Sequence, residues 1–129
     1  MKQSLISAAL AALLFLAGVL AGQQAKRPAV GQPKTIIHFV ALKWKADVSD
    51  ADKQKTLDGL KTMAAQIPGI KNVWLKTIRV QPQDFNAVFA MEFANQDAAD
   101  EYRDHPAHKA WETEYLAVRE TSNSGQATN

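Results

Sequence analysis

The stretch from Thr35 to Trp44 restricts the fold of this chain more than any other segment. It is rich in β-branched and aromatic residues, which predicts a strand. One face of this strand carries Ile36, His38, Val40, Leu42 and Trp44. The other face carries Ile37, Phe39 and Ala41. Helices in a small α+β domain cover only one face of the sheet, so the second apolar face needs another cover. A second copy of the chain is the simplest candidate.

Helical and strand patterns alternate along the rest of the folded region. Ser49 is a typical N-cap residue, and the helix that it begins should end at about Gln66, because Pro68 and Gly69 follow. The other elements are predicted as strands over 70–80 and 86–93, helices over 96–104 and 106–116, and a short strand over 117–121. The order β-α-β-β-α-α-β indicates an α+β fold of the split βαβ type, with its second helix broken.

The two ends of the chain differ from the domain predicted between them, over residues 34–121. Residues 5–22 are uncharged and follow Lys2, which is typical of a signal peptide, although the stretch is also just long enough for an N-terminal membrane anchor. Residues 23–33 indicate a flexible linker, and the polar residues 122–129 a disordered tail. We therefore expect export to the periplasm or the extracellular space, or membrane attachment if the signal is not cleaved.

Composition excludes several classes of function. The chain has 15 basic and 13 acidic residues, so its net charge of +2 does not predict nucleic-acid binding. It has no cysteine, which rules out disulfides, thiolate metal ligands and a cysteine nucleophile. No phosphate-binding glycine loop, nucleophile elbow or paired-carboxylate motif is present, and no cofactor is predicted.

The segment 102–109 holds the best candidates for chemistry. Pro106 disfavours a helical conformation at His105 and suits a first helical position itself, so a break is predicted between them. Tyr102 then lies in the last turn before the break and His108 in the first turn after it. A helix N-terminus favours neutral imidazole, which can accept a proton. Tyr102 and His108 could therefore act as an acid/base pair on a carbonyl or phenolic substrate.

A structural role is the alternative for all three histidines. His105 and His108 could satisfy backbone groups at the helix junction, and His38, in the middle of a strand, could be a hydrogen-bonded core residue. The spacing of these histidines, with no carboxylate motif beside them, does not support a metal site.

Four segments together resemble the stress-responsive A/B barrel (Dabb) family. They are residues 36–45 (IIHFVALKWK), residues 66–70 (QIPGI), Phe93 ahead of a short helix, and residues 102–108 (YRDHPAH). The resemblance covers residues 34 to about 121. It implies a ferredoxin-like subunit whose antiparallel four-stranded sheet joins that of a second subunit in a dimeric α+β barrel.

The resemblance also implies roles for individual residues. In one enzyme of the family, a cyclase that condenses a polyketide, a tyrosine and a histidine match Tyr102 and His108, and a strand histidine matches His38. The pocket between sheet and helices would then be lined by Val40, Leu42, Leu57, Leu60, Phe89 and Met91, with His105 as a further ligand contact. Ala87 and Lys76 replace a histidine and a glycine of the family pattern, which alters the polar end of this pocket.

These observations leave several functions open. The first is an exported homodimer that binds a small apolar or aromatic molecule. The second is a cofactor-independent enzyme, such as a cyclase, lyase or monooxygenase, that uses the Tyr/His pair. The third is a structural dimer without a ligand.

Overall fold

The computed structural model of the protein describes residues 30–31 and 33–129. The predicted signal peptide or anchor and most of the predicted linker lie outside these residues. None of the helices in this part of the chain combines the length and apolar character needed to cross a lipid bilayer.

The described part of the chain folds as one sheet covered on one face by helices. Its elements are β1 (Ile36–Trp44), α1 (Asp50–Gln66), β2 (Ile70–Trp74), β3 (Ala87–Phe93), α2 (Gln96–Asp104), α3 (Pro106–Val118) and β4 (Arg119–Ala127). The strands lie in the order β2-β3-β1-β4, and every neighbouring pair is antiparallel. The predicted α+β, ferredoxin-like architecture is confirmed.

Local capping chemistry sets the helix boundaries. At the start of α1, the Ser49 hydroxyl accepts a hydrogen bond from the Asp52 N–H at 3.1 Å. At the start of α2, the Asn95 side chain accepts one from the Ala98 N–H at 2.9 Å. After α1 the chain reverses at Gly69, whose φ is 86° and where a Cβ would lie 2.5 Å from the Ala98 Cβ. Glycine is therefore required there for both conformation and space.

The helix-covered face of the sheet forms the core. Strands β1 and β3 pair in a register that places Val40 opposite Phe89 and Leu42 opposite Ala87, all four of them buried. No helix of the described part of the chain covers the other, largely apolar face of the sheet, and there the Phe39 and Trp74 side chains are 44% and 45% exposed. The two faces of β1 thus differ in environment although both are largely apolar.

Two predicted boundaries were wrong. Strand β2 ends at Trp74 rather than near residue 80. Beyond Trp74 the backbone ladder to β3 stops, because the Thr77 hydroxyl donates a hydrogen bond to the Val88 carbonyl and accepts one from the Val88 N–H. Residues 122–127 are not a disordered tail but belong to β4, which pairs with β1 over its whole length. Backbone hydrogen bonds to β1, rather than burial of apolar side chains, hold this polar segment.

Candidate functional site

A cavity of about 410 Å³ lies between the sheet and helices α2 and α3. This volume falls in the range typical of small-molecule sites, roughly 300–1,000 Å³. The cavity is lined by residues of β1, β3, β4 and the two helices, namely His38, Val40, Phe89, Ala99, Tyr102, Arg103, His108, Trp111, Glu112, Tyr115, Leu116, Arg119, Ser122, Ser124, Gly125 and Gln126.

Strands β1 and β4 form one wall of the cavity. The antiparallel register places Gln126 opposite His38 and Ser124 opposite Val40. Directly opposed residues of an antiparallel pair point to the same face of the sheet, which here is the face covered by helices. This wall is therefore mixed, with polar side chains on β4 beside an apolar residue and a histidine on β1.

Helix α3 supplies a wall of aromatic residues. His108, Trp111 and Tyr115 are spaced so that they share one helix face, and all three are buried. The Trp111 indole donates a hydrogen bond to the Thr56 carbonyl at 2.9 Å, which fixes its ring. The Tyr115 ring stacks on Trp111 with centroids 4.9 Å apart and an angle of 10° between the planes. This wall therefore offers a rigid flat surface to an aromatic or apolar group.

The break between α2 and α3 brings Tyr102 and His108 together. Their ring centroids lie 4.0 Å apart, and the His38 ring lies 6.2 Å from that of Tyr102. The structure thus gathers His38, Tyr102 and His108 at one end of the cavity. Their catalytic or binding roles stay predictions.

The hydrogen bond of His108 determines which of its ring nitrogens carries the proton. Its Nδ1 lies 3.1 Å from the carbonyl oxygen of Arg103. A carbonyl can only accept, so in the neutral ring Nδ1 is the donor and Nε2 keeps its lone pair. The ring is therefore in the tautomer that can accept a proton at Nε2.

His105 has the opposite arrangement and a structural role. Its Nδ1 accepts a hydrogen bond from the Ala107 N–H at 3.2 Å, which caps the N-terminus of α3. The residue does not line the cavity. Of the two histidines at the helix break, His105 thus caps α3 and His108 lines the cavity.

Burial shifts the pKa values of three groups in the cavity wall. It lowers the pKa of His38, and the nearby His108 adds to this effect. It raises the pKa of Tyr102, with the negative charge of Glu112 as a smaller cause, and also raises that of Tyr115. At neutral pH the wall therefore presents a neutral His38 and two protonated phenols.

Several polar atoms of the cavity wall lack a protein partner. His38 Nδ1, the Tyr115 hydroxyl and Arg119 Nε are buried and make no hydrogen bond of good geometry within the described part of the chain, although the Gly125 backbone lies near the His38 ring and Ser122 near the Tyr115 hydroxyl. An unpaired buried polar group costs about 1–3 kcal/mol. Arg119 Nε has no such neighbour among the described residues and is the clearest of these atoms to lack a partner.

The structure places five of the ten predicted site residues outside the cavity. His38, Val40, Phe89, Tyr102 and His108 line the cavity, whereas Leu42, Leu57, Leu60, Met91 and His105 do not. The prediction of these five as cavity residues is corrected. Leu42, Leu60 and Met91 are 0% exposed and close against other core side chains, so they leave no surface for a ligand.

The sequence interpretation missed most of the opposite wall. Trp111, Tyr115 and Arg119 were not proposed as site residues, nor were those of β4. The helical spacing of His108, Trp111 and Tyr115 was a usable signal for a shared face. For β4 there was no usable sequence signal, because its residues show no apolar alternation.

Among residues 30–31 and 33–129, no cluster of histidine and carboxylate side chains has the geometry of a metal site.

Fold and cavity together define a ferredoxin-like α+β protein with a partly open cavity between sheet and helices. The chain belongs to the stress responsive A/B barrel domain (Dabb) family, whose model matches residues 36–123. The predicted family membership is confirmed. No curated protein sequence matches the chain.

Solved structures share the fold. A Dabb family protein with a ferredoxin-like fold from Mesorhizobium loti is 26% identical, with a TM-score of 0.64 over 74% of this chain and 96% of that one. A dimeric ferredoxin-like protein from Bacteroides fragilis is 20% identical, with a TM-score of 0.61 over 77% of this chain and 100% of that one. A hydroxynitrile lyase from Passiflora edulis is 14% identical, with a TM-score of 0.67 over 74% of this chain and 93% of that one.

Proposed function

We propose that this protein is an exported homodimer that binds a small molecule with a flat apolar or aromatic body in the cavity between α3 and β4. The observation that carries the proposal is the composition of the cavity wall. Stacked aromatic rings adjoin the polar side chains of His38, Arg119 and Ser124, all of which line the cavity. A ligand would cover the rings and form hydrogen bonds with accessible polar groups of this wall.

Binding is tested by filling the cavity. Ser124 lies on the cavity side of β4, while the adjacent Asn123 points to the other face of the sheet. The wild-type chain should bind members of a fragment set of phenols, aryl ketones, aryl carboxylates and indoles, measured by ligand-observed NMR. Ser124→Phe should abolish this binding and Asn123→Phe should retain it. Equal binding by both variants would place the ligand elsewhere, and no binding by the wild type would favour a structural dimer.

The dimer is supported by the uncovered face of the sheet. Ile37, Phe39, Val88 and Trp74 lie on this face, and the Bacteroides relative of the same fold is described as dimeric. Burying such a face between two copies would remove apolar surface from water.

Substitutions at two equally exposed positions test whether the chain forms a dimer through this sheet face. Phe39 is 44% exposed on the sheet face, and Leu116 is 45% exposed at the cavity rim. In sedimentation velocity, Phe39→Lys should yield monomers, because it places a charge in the interface, whereas Leu116→Lys should remain dimeric. A monomeric wild type would contradict the proposal.

Export rests on the uncharged stretch over residues 5–22. A fusion of residues 1–33 to a phosphatase that is active only outside the cytoplasm should give activity, and Leu13→Arg in the uncharged stretch should abolish it. Activity that survives this substitution would contradict export by this segment.

A second function is supported by the tautomer of His108. Its Nδ1 is held by the Arg103 carbonyl, and the protonated Tyr102 lies beside its ring. This arrangement could remove a proton from a carbon next to a carbonyl at Nε2, while a phenol donates to the developing oxyanion. The hydroxynitrile lyase from Passiflora edulis shares this fold, so the fold is compatible with an enzymatic activity.

Proton exchange tests this function without a known substrate. Aryl ketones incubated with the protein in D₂O should lose the NMR signals of their α-protons faster than in buffer. His108→Asn should slow the exchange by about 10²–10⁴-fold. His105→Asn, which keeps an acceptor at the cap of α3, should leave it unchanged. Equal effects of both variants would indicate a structural role for His108.

A further inference from the structure

Arg119 carries a positive charge in the cavity wall and forms a salt bridge with no carboxylate of the described residues. It lies at the junction of α3 and β4, and its guanidinium carbon sits 5.5 Å from the centre of the Tyr115 ring. Its Nε is buried without a hydrogen-bond partner, and no salt bridge reaches the side chain within residues 30–31 and 33–129. Contact with the Tyr115 ring orients the guanidinium but does not use its donors.

The other charges around the cavity do not balance Arg119. Arg103 adds a second positive charge, and Glu112 is the acidic residue in the lining. Glu112 precedes Arg119 by seven positions, which places their backbones about 10 Å apart along the direction of α3. The lining therefore has a net positive charge while His38 is neutral.

Strand β4 adds neutral hydrogen-bonding groups on the same side. Ser122 and Ser124 follow Arg119 on β4 and line the cavity. The register places them opposite Leu42 and Val40, so they point towards the helices. A guanidinium and hydroxyl groups that converge on one region are the groups that recognise a carboxylate.

We infer that the ligand is an organic anion: a flat aromatic or alicyclic body with one carboxylate, which binds at Arg119 and the β4 serines. The inference rests on the proposed binding function and specifies its ligand class. The body of the ligand lies against Trp111 and Tyr115 and extends towards Tyr102 and His108. His108 and Arg119 are about 16 Å apart along α3, which leaves space for one or two rings between the two ends of the cavity.

Matched charged and neutral probes test the inference. Affinities of 2-naphthoate and 2-naphthamide, which have nearly the same shape, are measured by NMR titration at low and moderate ionic strength. The wild type should bind the carboxylate at least tenfold more tightly, and salt should weaken only the binding of the carboxylate.

Variants of Arg119 assign the preference to this residue. Arg119→Gln should remove the preference for the carboxylate without loss of amide binding, and Arg119→Lys should restore part of it. Equal binding of both probes by the wild type would overturn the inference and leave the proposed binding function standing. A preference that persists in a folded Arg119→Gln variant would also overturn it. Binding of neither probe by the wild type would count against the inference and the binding function together.

Discussion

Two regions on the helix-covered side of the same sheet are packed differently. In the first, which we name the closed cluster, Leu42, Leu60, Met63 and Met91 are at most 2% exposed. The second is the cavity, where the side chains of α3 and β4 leave about 410 Å³ unfilled. The closed cluster contains only apolar groups, whereas the cavity wall includes polar and charged side chains.

The difference indicates that the two regions contribute differently to the stability of this small domain. A fully packed apolar cluster stabilises the fold through burial and dispersion. An unfilled cavity contributes less to stability, because its wall lacks packing partners on one side. Substitutions in the two regions should therefore have opposite effects on stability and on binding.

The largest effect on stability is expected in the closed cluster. Leu60→Ala removes a side chain that is 0% exposed, and it should lower the free energy of unfolding by about 2–5 kcal/mol. Leu116→Ala, at the cavity rim, is the matched control and should cost less than about 1 kcal/mol. Urea denaturation followed by circular dichroism measures both. Similar losses for the two variants would refute the distinction between the regions.

A smaller effect of opposite sign is expected in the cavity. Tyr115→Phe removes a buried hydroxyl that makes no hydrogen bond of good geometry, with Ser122 as its neighbour, so stability should stay unchanged or rise by up to about 1 kcal/mol. The same variant should bind the fragments more weakly than the wild type. A loss of stability above about 1 kcal/mol would mean that the hydroxyl has a structural role.

The smallest effect is a dependence on pH through His38. Burial lowers its pKa in the folded protein below the ordinary value of 6.5, so the unfolded chain binds the proton more readily. The stability that His38 contributes is present above pH 6.5 and is lost as the pH falls through that value towards the folded pKa. His38→Gln should flatten this part of the curve of unfolding free energy against pH. An unchanged slope would contradict the assigned environment.

The elements with strong local signals could be predicted from the sequence. Ser49 and Asn95 cap helices through their own side chains, and Pro106 breaks the second helix wherever the rest of the chain packs. Strand β4 could not be predicted beyond residue 121, because Ser122, Ser124 and Gly125 have low strand propensity and are ordered by pairing with β1.

The candidate site was predictable only in part. The helix break brings Tyr102 and His108 together through short-range geometry, so their proximity follows from the sequence. Whether Leu42 or Tyr115 faces the cavity depends on how α1 and α3 pack across the sheet. Apolar periodicity identifies residues that point inwards but does not show where the interior is left unfilled.

The central claim is that the cavity between α3 and β4 binds a small molecule, and NMR chemical shifts test it most directly. The indole N–H groups of Trp111, in the cavity wall, and Trp74, on the open sheet face, serve as internal reporters. Titration of the ¹⁵N-labelled protein with 2-naphthoate should shift the Trp111 indole signal and the amides of residues 119–126, and leave the Trp74 indole signal unchanged. Shifts confined to Trp74 and the open sheet face, or no shifts at millimolar probe, would contradict the account.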